Sequence, residues 1–282
     1  MTGTLYVVGT PIGNLSDLSP RAIETLESVD FVAAEDTRVT LRLLNHFEIK
    51  KPLISYHEHN IRDRGEQIIH RVLDGENAAI VSDAGMPCIS DPGEDLVRLA
   101  AKAAIRTVVI PGPNAAISAL CLSGLSTSRF AFEGFLSTNK RSRKLHLDSV
   151  RDDTHTLIFY EAPHKLLNTL LDMRDTFGAN RQIALARELT KIHEEVIRTT
   201  LGRAVEYYTQ NAPRGEYVLI IEGATPPREP EITLEEAVEA ARQLMEEGLK
   251  ATEAARQISA KTPFRKSQLY SALMEEKANE TT

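Results

Sequence analysis

The chain has 282 residues, of which 42% are hydrophobic and 26% charged, a balance that excludes a disordered polymer and suffices for two domains with cores of their own. Its formal charge of −7 excludes a protein that coats nucleic acid by bulk electrostatics, though not one with local basic patches. Cys88 and Cys121 lie outside any CxxC or His-rich spacing, the N-terminus lacks the pattern of a secretory leader, and no apolar run approaches the roughly 18 residues of a membrane span. A reduced, cytoplasmic protein without disulfide, metal site or membrane anchor is expected.

From residue 4 to about 124, short β-branched runs alternate with amphipathic stretches, the pattern of βαβ units on a mostly parallel sheet. The predicted strands are LYVVG, FVAAE, LISYH, NAAIVSD and RTVVIPG, with helices near Pro20 to Ser28, Thr37 to Phe47, Asn60 to Leu73 and Pro92 to Ala103. Ser19-Pro20 and Asp91-Pro92 each place a capping side chain before a proline suited to the first helical position. After LSGLSTSRF a second set begins: FAFEGF, HTLIFYEA, QIALARE, EVIRTTL and EYVLIIEG as strands, with helices around Pro163 to Phe177 and Arg203 to Asn211. Two of these strands follow each other across LTKIHE, which predicts an antiparallel hairpin and a mixed sheet. The proline-rich TPPREPEIT reads as a linker near residue 228. Three helical stretches follow it, Leu234 to Glu247, Thr252 to Ser259 and Arg265 to Glu275; the last two read either as a helix-turn-helix or as part of a small bundle with Ala237, Leu244, Ala255, Ile258, Leu269 and Leu273 inside. The expected architecture is α/β, with domains at 1–124, 125–228 and a helical 229–282.

Three loops at predicted strand ends are rich in Gly, Pro and small polar residues: GTPIG (9–13), SDAGMPCISDPG (82–93) and IPGPNAA (110–116). Ligands of open α/β sheets bind at the carboxyl ends of strands, so three such loops describe a crevice. No Walker lysine follows any of these glycines, which argues against a ligand dominated by phosphate. Asp83 and Asn114 offer a carboxylate and an amide suited to the hydroxyl and amino groups of a nucleoside.

In order along the chain, LYVVGTPIGNLSDLSPRAIETL, AAEDTRVTLRLL, SYHEHN, VSDAGMPCISDPG, IPGPNAAISAL, FYEAPHKL, ARELTKIHEE and GEYVLIIEG resemble the ribosomal RNA small subunit methyltransferase I family, a branch of the tetrapyrrole-methylase-like enzymes. The resemblance spans nearly the whole chain. It implies a homodimer that uses S-adenosylmethionine to methylate the ribose 2′-oxygen of a decoding-region cytidine of 16S rRNA, with naked RNA or the assembled 30S subunit left open as the form of the substrate. It also implies a tetrapyrrole-methylase-like fold of two α/β domains with the cofactor in the cleft between them. Carried over by position, the cofactor contacts are Ile12, Asp83, Met86, Asn114, Ala115 and Leu189, Met86 standing where the family more usually has Thr.

Methyl transfer from a sulfonium is an in-line displacement, for which orientation alone is worth about 7–11 kcal/mol. The ribose hydroxyl must also lose its proton, so a base or a cation that stabilises the alkoxide is needed. Glu161, Arg187, Glu188 and Lys191 are candidates in the second domain, with His57 and His59 in the first. Glu188 and Lys191, three apart in ELTK, are favoured as base or orienter and as electrostatic helper. His57 and His59 alternate along a segment read as extended and so share a face open to RNA. Further RNA contacts are expected from Arg38 and Arg42, Arg62 and Arg64, and the basic run Lys140, Arg141, Arg143 and Lys144. Thr10 and Asn14 are left open between cofactor and ribose. Competing readings are a tetrapyrrole or diphthine methylase on the same fold and a non-enzymatic S-adenosylmethionine-binding regulator; the basic run, HEHN and the helical domain favour an RNA substrate over the first, and overall acidity counts against the second.

Overall fold

Side chains alternate about the first sheet. Leu5, Val7, Phe31, Ala33, Ala78 and Ile80 pack on one face, and Val8, Val32, Ala34, Ala79, Val81 and Ile110 on the other. A sheet covered on both faces needs continuous apolar strands, which is why these runs are short and unbroken by polar residues. In this computed structural model, residues 1–225 and 232–279 are described. The chain runs β1 (Thr4–Val8), α1 (Pro20–Ser28), β2 (Phe31–Ala34), α2 (Thr37–His46), β3 (Leu53–Ser55), α3 (Ile61–Leu73), β4 (Ala78–Val81), α4 (Glu94–Lys102) and β5 (Arg106–Ile110). All five strands are parallel, in the order β3-β2-β4-β1-β5.

That order makes β4, β1 and β5 neighbours, so the loops leaving their carboxyl ends stand side by side. Thr10 and Gly85 pair through both backbone amides at 2.8 and 3.1 Å, stitching the first loop to the second. The first and third loops press together at Gly9 and Gly112, where a Cβ on Gly9 would stand 2.8 Å from the Gly112 Cα. Only bare backbone fits that approach.

Three local expectations are corrected. Ser19 caps α1 by accepting from the Ala22 amide, but Asp91 caps nothing: α4 begins at Glu94 behind Gly93, because Asp91 is drawn into the crevice wall beside Ser82. LISYH stops being a strand at Ser55, since the Asn60 carboxamide accepts from the His57 amide and folds residues 57–60 into a turn. The third loop, after which no helix is expected from the sequence, continues as a further helix, α5 (Ala115–Ser123), capped by the Asn114 side chain.

α5 leaves the first sheet and packs Ala116, Ala119 and Leu120 against Ile158, Ala184, Ala186, Val218 and Ile220 of the second. This second half runs β6 (Phe130–Phe135), α6 (Lys140–Ser149), β7 (Thr156–Glu161), α7 (Leu166–Phe177), β8 (Gln182–Arg187), β9 (Glu195–Thr200), α8 (Leu201–Gln210) and β10 (Tyr217–Ile221). The sheet is mixed, in the order β6-β7-β10-β8-β9, and β8–β9 form the expected antiparallel hairpin. Its opposite face is a core of Leu147, Leu157, Phe159, Leu170, Leu185 and Leu219 beneath α6, α7 and α8. Together the parallel and mixed sheets make the two-part α/β architecture expected from the sequence.

Met1–Thr225 form one compact unit and Pro226–Thr282 a second. The linker position near residue 228 lies outside the described residues. The second unit comprises α9 (Leu234–Glu246), α10 (Ala251–Ser259) and α11 (Lys266–Asn279) around Ala237, Val238, Ala241, Ala254, Ala255, Ile258, Leu269 and Leu273. Thr233 and Glu236 close a reciprocal capping box at the start of α9.

Candidate active site

Register decides which side chains of the second sheet meet the three loops. Tyr217 at the start of β10 pairs with Glu161 at the end of β7 and with Arg187 at the end of β8, so three strand ends finish level. Between them and the loops lies a cavity of about 280 Å³. Ile12, Asp83, Met86, Asn114 and Ala115 line it from the loop side, and Glu188, Leu189 and Lys191 from the second sheet. Every position expected to hold cofactor, and the pair favoured for catalysis, therefore stands on one cavity, while His57 and His59 do not line it.

Their hydrogen bonds sort these side chains. Asn114 accepts from the Ile117 amide at 3.0 Å, leaving its amide nitrogen free to donate. Asp83 accepts from the Asp36 amide at 3.0 Å, tying the end of β4 to the end of β2. Met86 packs its side chain onto the core below the sheet, an apolar anchor in the second loop. Glu188 takes φ 51° and Thr190 φ 66°, a costly backbone for residues with a Cβ, and the bend brings Lys191 Nζ to 3.0 Å from Glu188 Oε1.

Glu161 and Arg187 face the cavity but are committed elsewhere. Glu161 is buried and accepts from the Thr169 hydroxyl at 2.5 Å and the Ala162 amide at 2.9 Å; Arg187 pairs with Glu195 at 2.6 Å. Thr10 and Asn14 are likewise engaged. The Thr10 hydroxyl is buried against the Ser82 and Gly85 carbonyls, and Asn14 accepts from the Ser16 amide.

Sequence reasoning missed several wall residues, four of them with chemistry of their own. Glu35, Asp91 and Glu216 add carboxylates, and Tyr160 adds a ring edge-on to Phe132. Burial pushes the Asp91 carboxyl up to about 6, with the Glu35 charge adding to it. Burial raises Glu35 and Asp83 too, and lifts the Tyr160 hydroxyl. Glu35 opens the EDTR block and Asp91 is the second residue of the SDPG block, so both stood inside quoted motifs; what was missing was their burial.

The residues expected to hold RNA lie outside this cavity. Arg38 is exposed and chelated by Asp36, with Nη2 to Oδ2 at 2.6 Å. His57 and His59 share the 57–60 turn rather than an extended face, their rings edge-to-face at 5.9 Å. Arg62 is exposed in the first turn of α3. On α6, Lys140, Arg141 and Lys144 are exposed, whereas Arg143 is pinned by Asp172 at 2.7 Å and by the Ser137 and Thr138 carbonyls.

Residues 4–205 match the family model described as Tetrapyrrole (Corrin/Porphyrin) Methylases. The chain is 49% identical to Ribosomal RNA small subunit methyltransferase I of Synechocystis sp., over 98% of this chain and 99% of that one. It is 46% identical to the Pseudomonas aeruginosa protein of the same name, over 95% of each. In three dimensions it is similar to a cobalt precorrin-4 methyltransferase (TM-score 0.59, 13% identity, 78% of this chain and 94% of that one). It is also similar to a diphthine synthase (TM-score 0.58, 12% identity, 78% and 89%). Those two likenesses are of fold.

Proposed function

The chain belongs to the ribosomal RNA small subunit methyltransferase I family of tetrapyrrole methylases, and from that premise we propose that it methylates the ribose 2′-oxygen of a decoding-region cytidine in 16S rRNA, with S-adenosylmethionine as donor. The observation that supports this most is the single cavity on which three sheet-edge loops and the Glu188–Lys191 pair converge.

The wall suits such a donor. Glu35, Asp83, Asp91 and Glu216 face the cavity, while its two cations, Arg187 and Lys191, are each paired with a carboxylate. That balance favours a ligand carrying sulfonium and ammonium charge and disfavours a polyphosphate. Ile12, Asp83, Met86, Asn114, Ala115 and Leu189 would hold it. When bound, it supplies an electrophilic methyl group. Glu188 accepts the proton of the ribose hydroxyl or orients it, and Lys191 stabilises the charge left on that oxygen. The two side chains hold each other in place before substrate arrives.

Arg38, His57, His59, Arg62, Lys140, Arg141 and Lys144 would contact the rRNA, within the 30S subunit, in the cytoplasm. A homodimer is part of the same reading. Its support is the exposed apolar row Phe130, Phe132 and Phe135 on edge strand β6, with exposed Val109 on edge strand β5. The test is transfer of labelled methyl to 30S subunits from a strain lacking the modification, followed by nuclease mapping. Label on the ribose of one cytidine is expected; label on a base, or none on RNA, overturns the reading.

A further inference from the structure

Behind the GTPIG loop lies a second cavity, about 660 Å³, that shares Ile12, Asp83, Ala84 and Lys191 with the first. Whatever fills one meets the occupant of the other across that shared wall. Lys191 reaches both because Gly13 is bare: a Cβ there would come within 2.6 Å of Lys191 Cγ. The rest of the second cavity is mostly apolar, from Pro11 and Leu15 of the loop and Val39 and Leu43 of α2.

Two polar groups of α2 stand in it, and Arg42 feels the Asp83 charge without pairing with it. Arg42 is exposed and, among the described residues, forms no ion pair, whereas Arg38 one turn earlier is chelated by Asp36. Thr40 is 2% exposed, and its hydroxyl has no hydrogen-bond partner. Buried polar atoms are nearly always satisfied, so an orphan on a cavity wall marks where a polar ligand completes the site.

We propose that the second cavity is a nucleotide subsite. It takes one unstacked nucleotide of single-stranded RNA, the base lying against Pro11, Leu15, Val39 and Leu43 and a phosphate at Arg42. That placement leaves the ribose at the shared wall, beside Lys191 and within reach of the first cavity. Splayed single-stranded bases are what proteins read in RNA, and an apolar slot flanked by Arg42 and Lys191 matches their chemistry. The subsite rests on the RNA reading above.

The chain contains no tryptophan, so Leu15→Trp, at an exposed position in a short 3-10 turn, installs a single tryptophan in the slot that can be excited apart from the tyrosines. Titration of the full-length variant with a short single-stranded RNA of decoding-region sequence should quench its emission saturably. Adding Arg42→Glu should weaken that titration at least tenfold, and Thr40→Val severalfold, with the circular dichroism spectrum unchanged. An unquenched tryptophan, or quenching indifferent to Arg42→Glu, overturns the proposal. Quenching lost with Arg42→Glu while 30S label fails to appear on ribose would keep the subsite and sink the methylation reading. Ribose label with a silent tryptophan would do the reverse.

Discussion

Asp91 is a carboxyl that folding drives towards its neutral form. Burial is the main cause of its rise from 3.8 to about 6, the nearby Glu35 charge adds to it, and the Ser82 hydrogen bond only partly opposes it. A raised carboxyl contributes stability that is complete below the unfolded value and is lost as pH climbs through the folded one. Asp91→Asn should therefore raise the urea midpoint at about pH 7.5 and do little at about pH 4, a contrast that paired denaturation curves measure. For a cationic methyl donor the sign reverses. Its affinity should increase from about pH 5 to 7 as Asp91 ionises, and calorimetry on Asp91→Asn should find that slope flattened. Glu188→Gln and Lys191→Met should each lower kcat by roughly 10²–10³ while leaving donor affinity near wild type, as rapid-quench transfer to 30S subunits would show. The spacing of that pair was visible in ELTK. The cavity's extra acids were not: Asp91 before Pro92 has the look of a helix cap, and nothing in a linear sequence says that a carboxyl will be buried.

Elements show why a basic run is not a uniform surface. α6 turns Lys140, Arg141 and Lys144 outwards and Arg143 inwards to Asp172, with side chains only 13% and 22% exposed. Reversing charge at the three outward positions should weaken RNA binding without moving the melting temperature. Arg143→Ala should instead cost about 3 kcal/mol in chemical denaturation, because it strands Asp172 and frees two carbonyls. The helical period of NKRSRKLH holds the means to see this, but the partner Asp172 is 29 residues away. α5 was illegible for a different reason. Its sequence, AAISALCLS, has no polar face: Ala116, Ala119 and Leu120 are buried on the second sheet, and the residues left exposed, Ile117, Cys121 and Leu122, are apolar as well. Amphipathic α1, α2 and α3, each facing water, were readable to within a few residues. The strands were readable because a doubly covered sheet leaves unbroken apolar runs.

For the molecule as a whole, Met1–Thr225 and the C-terminal bundle each have a core made from their own residues. Removing the chain from Pro226 onward should leave donor affinity within about twofold of wild type; a tenfold loss by calorimetry would mean that the cavity draws on the bundle. The α5 packing also has a consequence for synthesis. Ala116, Ala119 and Leu120 find their cover on Val218 and Ile220, strand residues made about a hundred positions later. At translation rates of about 5–20 residues per second, a finished parallel sheet waits on the order of 5–20 s with an apolar helix unsheltered at its edge. The nascent chain is thus most open to chaperones and proteases after its first half has folded. Pulse proteolysis of stalled ribosome complexes should find cleavage in α5 disappearing only once β10 has cleared the exit tunnel.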